Sequence, residues 1–445
     1  TIVNVALPDI KTALGSGSST LVWIVSGYAL AFGLVLVPAG RLGDRIGHKR
    51  TFVCGLAGFT IASAACGLAQ SSTQLVAARA VQGLAAGFFY PAITATVQLV
   101  FSGRARSRAF GILGATIGVS TAAGPIIGGL LIEAGGTGNG WRWVFLVNVV
   151  IGIAAVPLAA RLLPPLRMRR RLGFDPVGLS LLALTLLLLM LPLAEGETAG
   201  WPPWTFASLG GACAAAAGLA LWERTYRRRG GDPVLSPDLL SDLDFTLGAA
   251  VALVYFAGFS SIFLVVSILW QTGLDRSALQ TGLTVVPFSV ASLIAASQSS
   301  TVSGRMGRWI VVLGSGMVGI GLVGVIAALH RGSPDPSSLA MVVPLLVAGA
   351  GNGLVIAPNQ DFVLRRVPRE KAGTAGGLLQ TAQRVGSAVG IAAVATVLFG
   401  TLAPGPGFRS LEAAFTRSAQ LALIVDVGLV AVAFGLATLV TLRER

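Results

Sequence analysis

The stretch Gly40-Arg41-Leu42-Gly43-Asp44-Arg45-Ile46-Gly47-His48-Lys49-Arg50 decides how this chain is read. One carboxylate, Asp44, sits among Arg41, Arg45, Lys49 and Arg50, and glycines punctuate the segment at 40, 43 and 47. Long apolar runs flank it, at 21–42 and 51–69. Each has about the 20 residues that a membrane-spanning helix needs. A basic hairpin between two such runs marks the cytoplasmic side of a multi-span protein. By charge alone it reads rather as a solvated topology loop. The glycine spacing says more, because it permits a tight turn and lets another helix approach closely. Asp44 is then placed to cap a neighbouring helix N-terminus, where the macrodipole favours negative charge.

Outward from this loop the chain keeps the same character. Of its 445 residues, 54% are hydrophobic and only 11% charged, against about 25% charged in a soluble domain. Membrane-length segments lie at roughly 21–42, 51–69, 74–100, 109–132, 143–162, 176–194, 204–222, 246–270, 279–299, 309–328, 339–358, 373–401 and 415–441, after a shorter run at 1–10. They predict fourteen spans with the first helix truncated, since the chain begins at Thr1 inside it. The net charge is +14, and its distribution argues for topology rather than nucleic acid. Most Lys and Arg fall in alternate loops, around 41–50, 104–108, 161–171, 224–229, 305–308 and 365–371, and at the C-terminus. That bias places those loops and the C-terminus in the cytoplasm. Cys54, Cys66 and Cys213 all lie in spans without a CxxC pair and read as packing residues.

Spans 1–6 form an N-terminal block, 1–162. The connector Leu163-Pro164-Pro165-Leu166-Arg167-Met168-Arg169-Arg170-Arg171 opens a middle segment, 163–244, which carries spans 7 and 8. Spans 9–14 fill 245–445. The expected architecture is an all-α integral membrane protein of two six-helix bundles plus two inserted helices. Parallel halves, each an inverted repeat of three helices, are a transporter plan with the substrate near the midplane. The halves echo each other: Gly304-Arg305-Met306-Gly307-Arg308 lies between spans 10 and 11 as Gly40–Arg50 lies between spans 2 and 3. The second copy lacks the aspartate.

Read as G-x-L-x-D-R-x-G-x-K, the first loop resembles the signature loop of the major facilitator superfamily, with Gly43 where alanine is usual and His48 where arginine is usual. Leu75, Arg79, Gln82 and Gly83 are similar to the family's span-4 motif. Gly111, Gly124, Pro125, Gly128 and Gly129 follow its span-5 antiporter motif, with Ser120 replacing a glycine. The segments Thr1–Pro8 and Trp141–Asn148 resemble the fourteen-span drug–proton antiporter branch. The resemblance covers essentially the whole chain. It implies a proton-coupled exporter of lipophilic, often cationic, drugs or antibiotics. Such a protein works by alternating access as a monomer, without cofactor or metal, in a bacterial cytoplasmic membrane. It further implies that Gly40, Asp44, Arg45, Gly47, Lys49 and Arg50 form a conformational-switch loop, that Arg79 tunes proton transfer, and that the span-5 motif supports closure of the cavity. The branch pattern also carries an acid two positions before the residue matched by Thr1.

Three charges fall inside spans: Arg79, Arg384 and Asp426. Charge at that depth is costly and marks function. For Arg79 the alternative is a structural guanidinium meeting backbone carbonyls or Gln82. Arg384 and Asp426 lie at depths that differ by only about 6 Å. They are therefore read as an ion pair, or Asp426 as a protonatable coupling group or a cation site. Asn4, Tyr28, Gln98, Asn148, Tyr255, Gln298, Asn352 and Gln380, with Phe88, Tyr90 and Phe259, have the mixture that lines a polyspecific cavity, although each is singly also a packing residue. An enzyme reading finds little support. His48 and His330 lie in loops, and no HExxH, GxSxG or phosphate-binding GxxxxGK[ST] sequence occurs. Export of an endogenous metabolite and a non-transporting membrane sensor or defective fragment are the alternatives.

Overall fold

A computed structural model describes residues 2–136, 138–165, 173, 175–196, 199–235, 237–276, 278–332, 338–402 and 411–443. All described regular structure is helical. The elements are α1 (Ile2–Leu14), α2 (Ser18–Ile46), α3 (His48–Leu68), α4 (Ser72–Val100), α5 (Gly103–Gly135), α6 (Gly140–Leu162), α7 (Pro176–Glu195), α8 (Pro203–Arg228), α9 (Pro237–Ser241), α10 (Leu243–Ser260), α11 (Ile262–Ile268), α12 (Ala278–Met306), α13 (Trp309–Gly332), α14 (Val342–Leu364), α15 (Ala372–Gly400) and α16 (Leu411–Arg443). Helix is the expected answer for apolar runs in lipid, where every backbone polar group needs an internal partner.

Among the described residues, twelve helical stretches have the length and apolarity of a membrane span. The fourteen segments expected from the sequence map onto these twelve plus α1 and α5. With 13 residues, α1 falls short of a span. Among the described residues of α5, Ile126–Gly135 is an apolar stretch shorter than a span.

The chain divides into two compact units. Unit 1 comprises Thr1–Val100, Ile127–Asp242 and Val367–Thr381; unit 2 comprises Phe101–Ile126, Leu243–Arg366 and Ala382–Arg445. This grouping departs from the chain-order blocks 1–162, 163–244 and 245–445. The inserted helices α7 and α8 fall in unit 1, as does the start of α15, whereas the start of α5 falls in unit 2. The core of unit 1 gathers Ala6, Ile10, Ile24, Cys66, Leu75, Trp141 and Phe145, with a second cluster at Phe32, Leu36 and Ala86. The core of unit 2 is larger and runs from Val251 and Tyr255 through Ile310 and Leu345 to Leu423 and Val430.

Gly47 sets the geometry of the first loop. Its φ of 100° is open to glycine and strained for other residues. Its N–H closes the end of α2 on the Gly43 carbonyl at 2.9 Å, and α3 begins at the next residue. The pair α7–α8 begins on a different device. Asp175 caps α7 by accepting the Gly178 N–H at 2.8 Å, with Pro176 in the first turn.

Candidate functional site

In unit 1 the first loop grips the beginning of α15. Asp44 is fully buried. Its Oδ1 accepts the Gly373 N–H at 2.7 Å, and its Oδ2 accepts the Thr374 N–H at 2.8 Å and the Thr374 hydroxyl at 2.6 Å. This is a carboxylate on a helix N-terminus, with charge-assisted bonds to amides that the helix itself leaves open. The close approach depends on two facing glycines. A Cβ on Gly40 would strike the Gly373 backbone, and a Cβ on Gly373 would strike the Gly40 carbonyl. His48 Nε2 lies 3.2 Å from Asp44 Oδ1. Arg45 and Arg50 are exposed and Lys49 is half-buried.

Arg79 is buried in the same unit. Its Nε donates to the Ile24 carbonyl at 2.9 Å, Nη1 donates to Gln82 Oε1 at 2.6 Å, and the guanidinium lies 4.1 Å from the centre of the Tyr28 ring. Gln82 in turn donates to Ser63 Oγ at 2.9 Å, and Asn148 reaches the same oxygen at 3.3 Å. The structure thus brings Arg79, Tyr28 and Asn148 into one network. Gly83 makes it reachable, because a side chain there would collide with the Tyr28 carbonyl and hold α4 away from α2. The partners of Arg79 are a carbonyl, an amide and an aromatic ring, so the guanidinium is met without a carboxylate.

Unit 2 joins a different subset of the candidates. The Tyr255 hydroxyl donates to Asn352 Oδ1 at 2.8 Å, and Asn352 Nδ2 donates to Ser292 Oγ at 2.9 Å. Tyr255 stacks on Phe259 with ring centres 5.7 Å apart, and Phe259 stacks on Phe288 at 5.8 Å. Gln298 is exposed and joins neither group. In unit 1, Gln98 donates to the Val367 carbonyl at 3.2 Å, while buried Gln380 has no hydrogen-bond partner at Nε2. The side chains of Asn4 and Pro125 lie outside the described residues.

The proposed Arg384–Asp426 pair is not formed. Asp426, in the middle of α16, is fully buried and its Oδ1 meets the hydroxyl of Ser261. Its Oδ2 has no hydrogen-bond partner, and Arg384 is exposed on α15. Similar depth was a sound argument, but helix rotation decides which faces meet, and depth alone carries no rotation. Ser261 Oγ also lies 3.1 Å from the Ala257 carbonyl. A hydroxyl has one hydrogen, so it serves only one of these two oxygens fully. Both contacts are satisfied at once when the carboxyl carries a hydrogen and donates it to Ser261.

The span-5 glycines divide by position. Gly111 and Gly114, in the first part of α5, face the Ala296 carbonyl and the Ala357 methyl, so this part of the helix lies directly on α12 and α14. Gly128 faces Ile2, and Gly129 has open space beside it. Gly124 lies in the same second part of α5.

Sequence reasoning passed over several participants. Gly373, Thr374 and Ser261 carry no motif signal, since a backbone amide or a lone serine gains its role from what folds against it. Arg41 was visible only as one charge of a basic loop. It is nearly fully buried, and its Nη2 donates to the carbonyls of Asp232 at 2.9 Å and Gly173 at 3.3 Å. It thereby ties the loop end of α2 to both connectors of the inserted helices.

Residues 1–391 match the family model described as Major Facilitator Superfamily. A probable actinorhodin transporter of Streptomyces coelicolor is 37% identical over 403 residues, covering 90% of this chain and 70% of its own. The tetracenomycin C resistance and export protein of Streptomyces glaucescens is 31% identical over 89% of this chain and 72% of its own. The multidrug resistance protein Stp of Mycobacterium tuberculosis is 32% identical with the same two coverages, 89% and 72%. Among solved structures, the human organic anion transporter MFSD10 superposes with a TM-score of 0.66 at 19% identity, covering 97% of this chain and 88% of that one. At that identity the likeness speaks for the fold alone.

Proposed function

Since the chain belongs to the major facilitator superfamily and is a multi-pass membrane transporter rather than an enzyme, we propose that it is a proton-driven exporter of lipophilic or cationic drugs or antibiotics. In this reading it works by alternating access and is of the fourteen-span type. The observation that carries the coupling half of this reading is Asp426, a carboxylate buried in mid-helix whose described contact is one hydroxyl. A bare charge there is expensive. A carboxyl that takes a proton from one side of the membrane and yields it to the other avoids holding that charge in the apolar state. Arg79 supplies a fixed positive field in unit 1, and the Asp44 grip on α15 holds one conformation until the cycle releases it.

A narrower cargo, one endogenous metabolite, is the second reading. It is favoured by relatives named for a single compound each, actinorhodin and tetracenomycin C. The test for both is proton release from energised everted vesicles on addition of compounds from a panel of cationic and neutral drugs, ethidium among them. Release with several unrelated compounds, lost in Asp426→Asn, is the expected result. Release with one chemical class supports the narrow reading. Silence across the panel from folded protein in the membrane would overturn the multidrug reading.

A further inference from the structure

We propose that Asp361 is a second latch, the counterpart in unit 2 of Asp44 in unit 1, and that it holds the start of α5. The second basic loop, Gly304–Arg308, has no acid of its own. Its Arg308 instead reaches Asp244, at the start of α10, at 3.2 Å, and Arg366 pairs with the same carboxylate. The acid that grips a helix start comes from elsewhere, the end of α14. Asp361 Oδ1 accepts from Arg106 Nε at 2.7 Å and Oδ2 accepts from the Ser107 hydroxyl at 2.6 Å. Arg365 adds a third donor at 3.2 Å from its own helix. The side chains of Asp361 and Arg106 are 2% and 12% exposed, whereas Arg365 is 51% exposed. The Arg106 contact is therefore the shielded one, and the Arg365 pair is worth little.

The parallel with Asp44 is positional as well as chemical. Counting long helical stretches along each half, with Leu243–Gly273 as one, α5 is the fifth of the first set and α15 is the fifth of the second. Each is held at its first turns by a buried carboxylate, and each lies against its unit through glycines, Gly40 and Gly373 in one case and Gly111 in the other. What differs is the source of the acid and the atoms it binds. Asp44 holds two backbone amides and the Thr374 hydroxyl, so its grip asks of α15 only a glycine at 373 and a hydroxyl at 374. Asp361 holds two side chains, so its grip is written in the sequence of α5 and can be rewritten. The functional consequence rests on the alternating-access reading, but the grip itself is testable without substrate or gradient.

The measurement is hydrogen–deuterium exchange of the purified full chain, following amides 104–110 at the start of α5 and 372–376 at the start of α15. In Asp361→Asn the first set is expected to exchange about tenfold faster, the effect of losing charge-assisted bonds, with the second set unchanged. Asp44→Asn is expected to give the reverse pattern. Exchanging the partners, Asp361→Arg with Arg106→Asp, is expected to restore protection at 104–110, which a merely space-filling role would not do. Unchanged exchange at 104–110 in Asp361→Asn would overturn the proposal. So would failure of the exchanged pair to protect those amides when α13 amides remain at wild-type rates. If Asp361→Asn does not fold, Arg106→Gln removes the same bond from the other side and is read identically.

Discussion

Arg79 and Asp426 are both buried inside spans, one in each unit, yet they are met very differently. Arg79 has a carbonyl, an amide oxygen and an aromatic face around it, and its amide partner is itself anchored through Ser63. Asp426 has one hydroxyl and a second oxygen without a partner. A cation met on several sides stays as it is, because moving it loses bonds. A half-met carboxylate has less to lose, and adding or removing one hydrogen rearranges its only contact. The contrast separates a fixed charge from a group suited to exchanging its proton.

The sharpest way to break this comparison is Asp426→Asn, which keeps the shape and removes the exchangeable acid. Substrate-induced proton flux is expected to fall about a hundredfold or more, the scale on which acid–base groups act. Yield and thermal unfolding should stay near wild type. Flux that survives this change would move the coupling role elsewhere. Arg79→Gln is expected to be the larger structural lesion. Loss of charged hydrogen bonds and of the contact over Tyr28 should cost about 3 kcal/mol, read as earlier thermal unfolding in detergent, with transport impaired as a consequence. If Arg79→Gln instead unfolds like wild type while coupling is lost, the two charges are more alike than their contacts say.

Smaller effects sharpen the contrast. Ser261→Ala removes the contact that orients Asp426, and the flux is expected to fall about tenfold with stability down by about 1 kcal/mol. A loss equal to that of Asp426→Asn would make the serine an equal partner in the transfer. The smallest effect belongs to Arg384→Gln. Because Asp426 rests on Ser261 rather than on Arg384, the change strands no buried carboxylate, and stability should fall by far less than the roughly 3–5 kcal/mol that breaking a buried pair costs. A collapse in yield would show that Arg384 meets a need that its exposed position does not suggest.

Much of this was legible in the residues, and the pattern of what was not is physical. The apolar runs announced helices because lipid leaves the backbone no other solution. Gly40, Asp44 and Gly47 announced a grip on a helix start, since that residue combination fits little else. The identity of the gripped helix was not legible, because Gly373 and Thr374 offer mainly backbone amides, which every residue has. The missing aspartate of the second loop was legible as an absence, but its replacement by Asp361 was not, as it lies some fifty residues along on another helix. For Arg384 and Asp426, depth in the membrane follows from counting residues, whereas the direction a side chain faces depends on helix rotation set by packing. The grouping of α7 and α8 with unit 1 was likewise not legible, because it rests on contacts that chain order does not reveal.

The fastening of that inserted pair has a consequence for excising it. Along α2 the pair is held at Arg41 by its connectors, at Gly33 by Met190 and at Ser26 by Glu195. A chain engineered without residues 163–235 would lose the Arg41 acceptors, the Met190 contact at Gly33 and the Ser26 partner together, all on the one helix whose end presents Asp44. Excising the pair is therefore expected to loosen α2 along its length, not at one point.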